Sequence, residues 1–259
     1  MESILSRIEN GIGYIQFNRP DVFNSFNREM ALSFQKVLDA FAHDHTVRAI
    51  LITGNGKAFC AGQDLKEVTT PELNPGFRAI LDEHYNPIIT RIRNIEKPVI
   101  AAVNGVAAGA GANIALACDV VLASENASFI QAFSKIGLIP DSAGTFFLPR
   151  LVGFQKALAL CLLGDKVSAV DAEKMGMIYK AIPADQFEAE VEKTALTLAQ
   201  MPTKALGLTK HLFNQSLTND LHAQLKAEGD FQIQASESHD YQEGVNAFVE
   251  KRKPIFRGE

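Results

Sequence analysis

The sequence predicts an α/β core followed by a helical C-terminal portion, on three observations. Short β-branched runs at residues 49–53, 98–103 and 120–123 alternate with stretches of helical periodicity. Beyond residue 182 the chain offers mainly helical periods. No low-complexity linker or repeat of 20–50 residues divides the chain.

The N-terminal segment, residues 4–17, alternates apolar and polar residues around Asn10-Gly11, a pair that accepts the positive φ angles of a tight hairpin turn. Met30, Phe34, Val37, Leu38 and Phe41 then recur at helical spacing, predicting an amphipathic helix over 27–42 with Asn27 as a cap. Residues 49–53 read as a buried strand, and 54–75, rich in Gly, Thr and Pro, as loop. A helix over 77–94 and a strand over 98–103 follow, then a helix over 110–118 and strands at 120–123, near Phe129 and at 178–182. Phe147, Leu148 and Leu151 form an apolar stretch suited to core or subunit contact. Helices are predicted over 187–200, 203–216, 221–234 and 241–251.

Composition narrows the function. The chain has 259 residues, 47% of them hydrophobic, which is ample for one large core. With 25 Lys and Arg against 30 Asp and Glu, it has no basic excess to neutralise nucleic acid or an anionic membrane surface. The most apolar region, VIAAVNGVAAGAGANIALACDVVLA, is punctuated by Asn, Gly and Asp, so no membrane span is expected. The start, MESILSRIEN, has no signal-peptide stretch, and the widely separated Cys60, Cys118 and Cys161 suit reduced thiols, so the expected location is the cytoplasm. The six histidines show no HExxH or similar spacing, and no metal is expected.

Three stretches could hold chemistry. Residues 104–113, NGVAAGAGAN, join a strand to a helix, where small residues admit a ligand to unpaired backbone N–H groups or simply allow tight packing. The pattern there is GxxxGxG, which departs from the dinucleotide-binding GxGxxG, and GNGK at 54–57 lacks the first glycine and the hydroxyl residue of a phosphate-binding loop. The second stretch, KAFCAGQDL at 57–65, also follows a strand. In the third, IGLIPDSAGT at 136–145, Asp141 is either a helix cap or a carboxylate at the edge of an apolar pocket.

Together with NRPDVFNSFN, LPRLVG, GDKVSAVDAEKMGMI and EGVNAFVEKRKPIF, these stretches resemble the crotonase, or enoyl-CoA hydratase/isomerase, superfamily nearly end to end. The resemblance implies a crotonase-like spiral of repeated ββα units over 1–200, with a helical trimerisation region over 201–259 giving a homotrimer or a dimer of trimers. It implies an acyl-CoA thioester as substrate, with no separate cofactor because coenzyme A belongs to the substrate. The thioester oxygen would sit between the backbone N–H groups of Gln63 and Ala110.

The two catalytic glutamates of the family's hydratases fall here on Asn113 and Phe133, neither of which can move a proton. Asp141 is the carboxylate that remains. Aspartate-dependent dehalogenases of the family carry an aromatic where this chain has Gln63, which argues for an isomerase. The implied activity is shifting the double bond of an enoyl-CoA, or isomerising a ring-1,2-epoxyphenylacetyl-CoA, with Asp141 as acid and base. A hydratase-like lyase and a silent acyl-CoA-binding homologue are the alternatives.

Phe133, Ile136, Ile139 and Phe146 are expected to desolvate Asp141. Ala61, Asp64, Leu65, Gly109, Asn113 and Phe133 are expected around the substrate, although Asp64 could instead hold its loop through backbone hydrogen bonds. Arg19, Lys57 and the basic residues 251–253 offer charge for the CoA phosphates or form a solvated patch, and Phe256 is expected to close over the pantetheine.

Overall fold

The computed structural model describes residues 2–259. Strands β1 (Ile4–Glu9) and β2 (Ile12–Phe17) form the expected hairpin, with Asn10 and Gly11 at φ 52° and 79°. Helix α1 (Arg28–His43) is capped by Asn27, whose side chain accepts from the Met30 N–H over 3.0 Å. Strand β3 (Ala49–Gly54) follows, then β4 (Ala58–Cys60) and α2 (Leu65–Thr69). The stretch predicted as loop thus holds two elements. β4 is three buried residues, too short to show any periodicity, and α2 is a helix of five residues.

The next helix runs from α3 (Phe77–Ala79) through a π-helical segment (Ile80–Tyr85) into α4 (Asn86–Asn94). Then come β5 (Val99–Val103), β6 (Val106–Ala108), α5 (Ala110–Leu116), β7 (Val120–Ser124) and β8 (Ser128–Ile130). A 3₁₀ turn (Ala132–Ile136) leads to α6 (Gly144–Val152) and α7 (Phe154–Leu163), where the sequence showed only an apolar stretch. β9 (Lys166–Ser168), α8 (Ala169–Lys174) and β10 (Lys180–Ile182) precede four helices: α9 (Phe187–Ala199), α10 (Thr203–Ser216), α11 (Leu221–Ser236) and α12 (His239–Glu250).

The strands sort into two sheets. The larger has the order β1-β2-β3-β5-β7-β10, parallel except for the first hairpin, and the smaller the order β4-β6-β8-β9. Successive units β3-β4-α2 and β5-β6-α5, with β7-β8 and its 3₁₀ turn, each place one strand in each sheet, which is a spiral of ββα repeats.

Strands β3, β5 and β7 of the larger sheet are covered on both faces, so they read as continuous apolar runs, whereas the edge strand β1 is exposed and alternates. Ile50, Ile52, Val99, Ala101 and Val103 face the main core with Phe34 and Leu38 of α1 and Ile88 and Ile92 of α4. Ile12, Leu51, Ile100 and Leu122 face the other way, against Phe187, Val191 and Ala195 of α9. The segments that follow β4, β6 and β8 of the smaller sheet carry the sequence stretches singled out above.

Candidate active site

The loop after β4 is tied to the segment before α1 by a parallel bridge between Gln63 and Phe26. Phe26 N–H donates to the Gly62 carbonyl over 2.7 Å and Asp64 N–H donates to the Phe26 carbonyl over 2.8 Å. In a parallel pair this turns the N–H of Gln63 to the opposite side of the strand. Gly62, at φ +90°, lets the loop pass the start of α5 closely: a Cβ on it would lie 2.9 Å from the Ala108 carbonyl and 3.5 Å from the Ala110 nitrogen. Ala110 is the first residue of α5, so its N–H has no partner inside the helix.

Gln63 and Ala110 line a cavity of about 710 Å³, together with Ala61, Leu65, Gly109, Phe133, Tyr85 and Asp141. That size suits a small-molecule site. The Gln63 side chain is held at both ends. Its Oε1 accepts from the Tyr85 hydroxyl over 2.8 Å, and its Nε2 donates to Glu67 Oε2 over 2.7 Å. Glu67 is itself fixed by the Arg28 N–H at 2.7 Å. Burial pushes the Tyr85 phenol well above its ordinary range, so it remains a donor.

Asp141 enters the cavity from the loop after β8. Burial pushes its carboxyl up to about 6, against the opposing effect of a hydrogen bond from the Ser142 hydroxyl at 2.9 Å. Phe133 and Ile136 line the cavity beside it, but Ile139 is 82% exposed and cannot desolvate the carboxyl. Phe146 stacks edge-on against Phe147 and under Arg150 rather than toward the site. Ser142 and Ala143 both adopt positive φ, 51° and 59°, an unfavourable backbone for non-glycine residues.

Several expected contacts lie elsewhere. Asn113 is 1% exposed and packs behind the cavity wall instead of lining it. Asp64 caps α2, accepting from Lys66 N–H at 3.0 Å, and pairs with Arg19 at 2.8 Å. Arg19 also donates to the Ser25 carbonyl at 2.6 Å, so its charge is committed to the loop. Lys57 is exposed at the start of β4, the end remote from the site loop. Arg252 is paired with Glu243 at 2.6 Å and Glu250 at 2.6 Å. Phe256 rests beside Gly244 of α12, with its carbonyl near Arg48, and does not line the cavity of its own chain. Tyr85 and Glu67 were not found from sequence, since their partners are 22 and 4 residues away and no local pattern marks them.

The chain matches the family described as enoyl-CoA hydratase/isomerase over residues 7–259. The chain belongs to the enoyl-CoA hydratase/isomerase family. Among relatives in this family, the 1,2-epoxyphenylacetyl-CoA isomerase of Escherichia coli K12 is 45% identical across 100% of this chain and 99% of its own. The trans-2-decenoyl-[acyl-carrier-protein] isomerase of Streptococcus mutans is 32% identical across 99% and 98%. The crystal structure of an enoyl-CoA hydratase from Bacillus anthracis superposes with a TM-score of 0.92, at 31% identity, covering 99% of this chain and 100% of that one. The crotonase fold expected from the motifs is therefore the fold of this family member. Among the described residues no group of three His, Cys, Asp or Glu side chains could hold a metal ion.

Proposed function

We propose that this protein is an isomerase of acyl-CoA thioesters in which Asp141 is the single acid and base. The observation that carries this reading is a lone carboxylate in the cavity wall, raised to about 6, facing a cavity that two outward backbone N–H groups also line. A carboxyl of that strength is mostly ionised at neutral pH yet is a better base than an ordinary aspartate. For a Δ3-enoyl-CoA, Asp141 removes a C2 proton and the electron pair delocalises onto the thioester oxygen. The N–H groups of Gln63 and Ala110 hold that oxygen, each contributing about 3–4 kcal/mol if they act as a measured oxyanion hole does. Return of the proton to C4 leaves the double bond at C2–C3, with Asp141 again ionised.

Hydration is disfavoured because it requires a second group to activate water, and Asn113 and Phe133 supply none. The identity to the Escherichia coli isomerase supports a ring-1,2-epoxyphenylacetyl-CoA as a natural substrate beside linear enoyl thioesters. Exposed apolar side chains on the C-terminal helices, among them Phe213, Leu221, Phe248 and Val249, support a homotrimer or a dimer of trimers built through residues 201–259. Unpaired cysteines support a cytoplasmic location, and no helix among the described residues is long and apolar enough to cross a membrane.

The test is to incubate the pure protein separately with 3-hexenoyl-CoA, crotonyl-CoA and ring-1,2-epoxyphenylacetyl-CoA and identify the products. Conversion of the first and third is expected. Dominant formation of a hydroxyacyl-CoA from crotonyl-CoA would replace this reading with the hydratase one, and acyl-CoA binding without any product would replace it with a silent binding homologue.

A further inference from the structure

Asn113 stands one turn after Ala110 on α5, its N–H donating to the Gly109 carbonyl over 3.1 Å. Its side chain bridges two points of the segment after β8. Nδ2 donates to the backbone carbonyl of Asp141 over 2.9 Å, and Oδ1 accepts from Nε2 of Gln131 over 2.7 Å. The orientation of both amides is forced, because a carbonyl oxygen can only accept. One consequence is that Oε1 of Gln131 is buried with no partner. An unpaired buried acceptor is destabilising. The fold tolerates that cost where it keeps the Asn113 amide aimed at Asp141.

The segment that Asn113 grips is the strained one. The Asp141 carbonyl also accepts from the Gly144 N–H at 2.9 Å, closing a tight loop through the two left-handed residues Ser142 and Ala143. Gly144 packs so closely on the Asn113 amide that a Cβ there would overlap it. Such a loop relaxes unless its surroundings hold it.

We propose that Asn113 is a positioning residue that locks the Asp141 loop in register with the oxyanion N–H of Ala110. This rests on the roles proposed above for Asp141 and Ala110. Because Asn113 and Ala110 sit on one rigid turn, a single side chain sets the spacing between base and oxyanion donor. A carboxylate at this position could not do so, since it has no proton to give the Asp141 carbonyl. The residue that removes hydratase chemistry thereby supplies what an aspartate-only mechanism needs, a fixed base.

The test compares wild type with Asn113→Leu, which keeps the size of the side chain and removes the donor. The expected result is a fall in kcat for 3-hexenoyl-CoA of about 30-fold with KM within about threefold, the signature of a displaced reacting group. Hydrogen exchange in the peptide spanning 137–145 should quicken about tenfold. If Asn113→Leu fails to fold, Gln131→Met, which releases the other end of the amide, is read in the same two assays. Unchanged kcat, a change in KM alone, or unchanged exchange in a folded variant overturns the proposal. Inactivity of wild type on 3-hexenoyl-CoA counts against the isomerase reading instead, and the exchange measurement still decides the locking.

Discussion

The hydroxyl of Tyr85 donates to Oε1 of Gln63 over 2.8 Å, tying the helix that walls the cavity to the loop whose Gln63 N–H is proposed above as an oxyanion donor. Tyr85→Phe leaves that amide oxygen short of a donor while keeping the ring. The expected effect is a loss of about tenfold in kcat, equivalent to about 1.4 kcal/mol, with a comparable loss in unfolding free energy. Steady-state kinetics and urea unfolding check the two halves of this statement.

Asp141→Asn preserves shape and removes the carboxylate proposed as the base. Isomerisation should fall by about three orders of magnitude or more while acyl-CoA affinity, measured by calorimetry, stays within a few-fold of wild type.

The pH dependence follows from the same group. The carboxyl must be ionised to accept the C2 proton, so kcat/KM should rise with pH and reach half its plateau near pH 6, matching the carboxyl raised to about 6. Stability should run the other way. Between the ordinary aspartate value of 3.8 and about 6 the folded state binds more protons than the unfolded one, so Asp141 lowers stability as pH rises through that window. Asp141→Asn is thus expected to unfold at a higher temperature than wild type at pH 7.5, by an amount worth about 3 kcal/mol, and at nearly the same temperature at pH 3.5. Calorimetric scans at both pH values would test it.

Gly62→Ala places a methyl group 2.9 Å from the Ala108 carbonyl at a backbone φ of +90°. The loop must shift, and Gln63 with it. A loss of about 100-fold in kcat is expected from a misplacement on the order of 1 Å, with a modest drop in melting temperature. Wild-type kinetics in this variant would remove the Gln63 N–H from the oxyanion role.

Arg19→Ala separates two views of that arginine. Its bonds to Asp64 and the Ser25 carbonyl make it part of the loop's support. The expectation is a loss of about 1–3 kcal/mol in stability and little change in acyl-CoA affinity. A large rise in KM with stability intact would instead return Arg19 to the CoA phosphates.

Most of the fold was legible because its long elements carry strong periodicity. The residues of α1 repeat at helical spacing and its cap is local, so both could be read from sequence. The strands β4, β6 and β9 were not legible, being three residues each and defined by partners in a second sheet. At the site, Asp141, Gln63 and Ala110 were reached through motifs, and the structure gathers all three around one cavity. What sequence could not supply is pairing across space. Arg19 looked like free charge until Asp64 stood 2.8 Å away, and Ile139 looked like a pocket wall until it pointed into solvent. Asn113 read as a missing glutamate and a substrate contact, and its bridging role stayed hidden because its bond partners lie 28 and 18 residues off.

The π-helical segment Ile80–Tyr85 widens one turn of the cavity wall, and both of its end residues line the cavity. In an ordinary α-helix two positions five residues apart point in different directions. Regular α winding of the same six residues would place Tyr85 about 140° around the axis from Ile80, rather than the roughly 50° of a π turn, and would take one of the two out of the wall. The shape of the cavity is therefore encoded partly as helix winding, so a change that converts this turn to regular α-helix would reshape the wall without altering any residue beside Asp141.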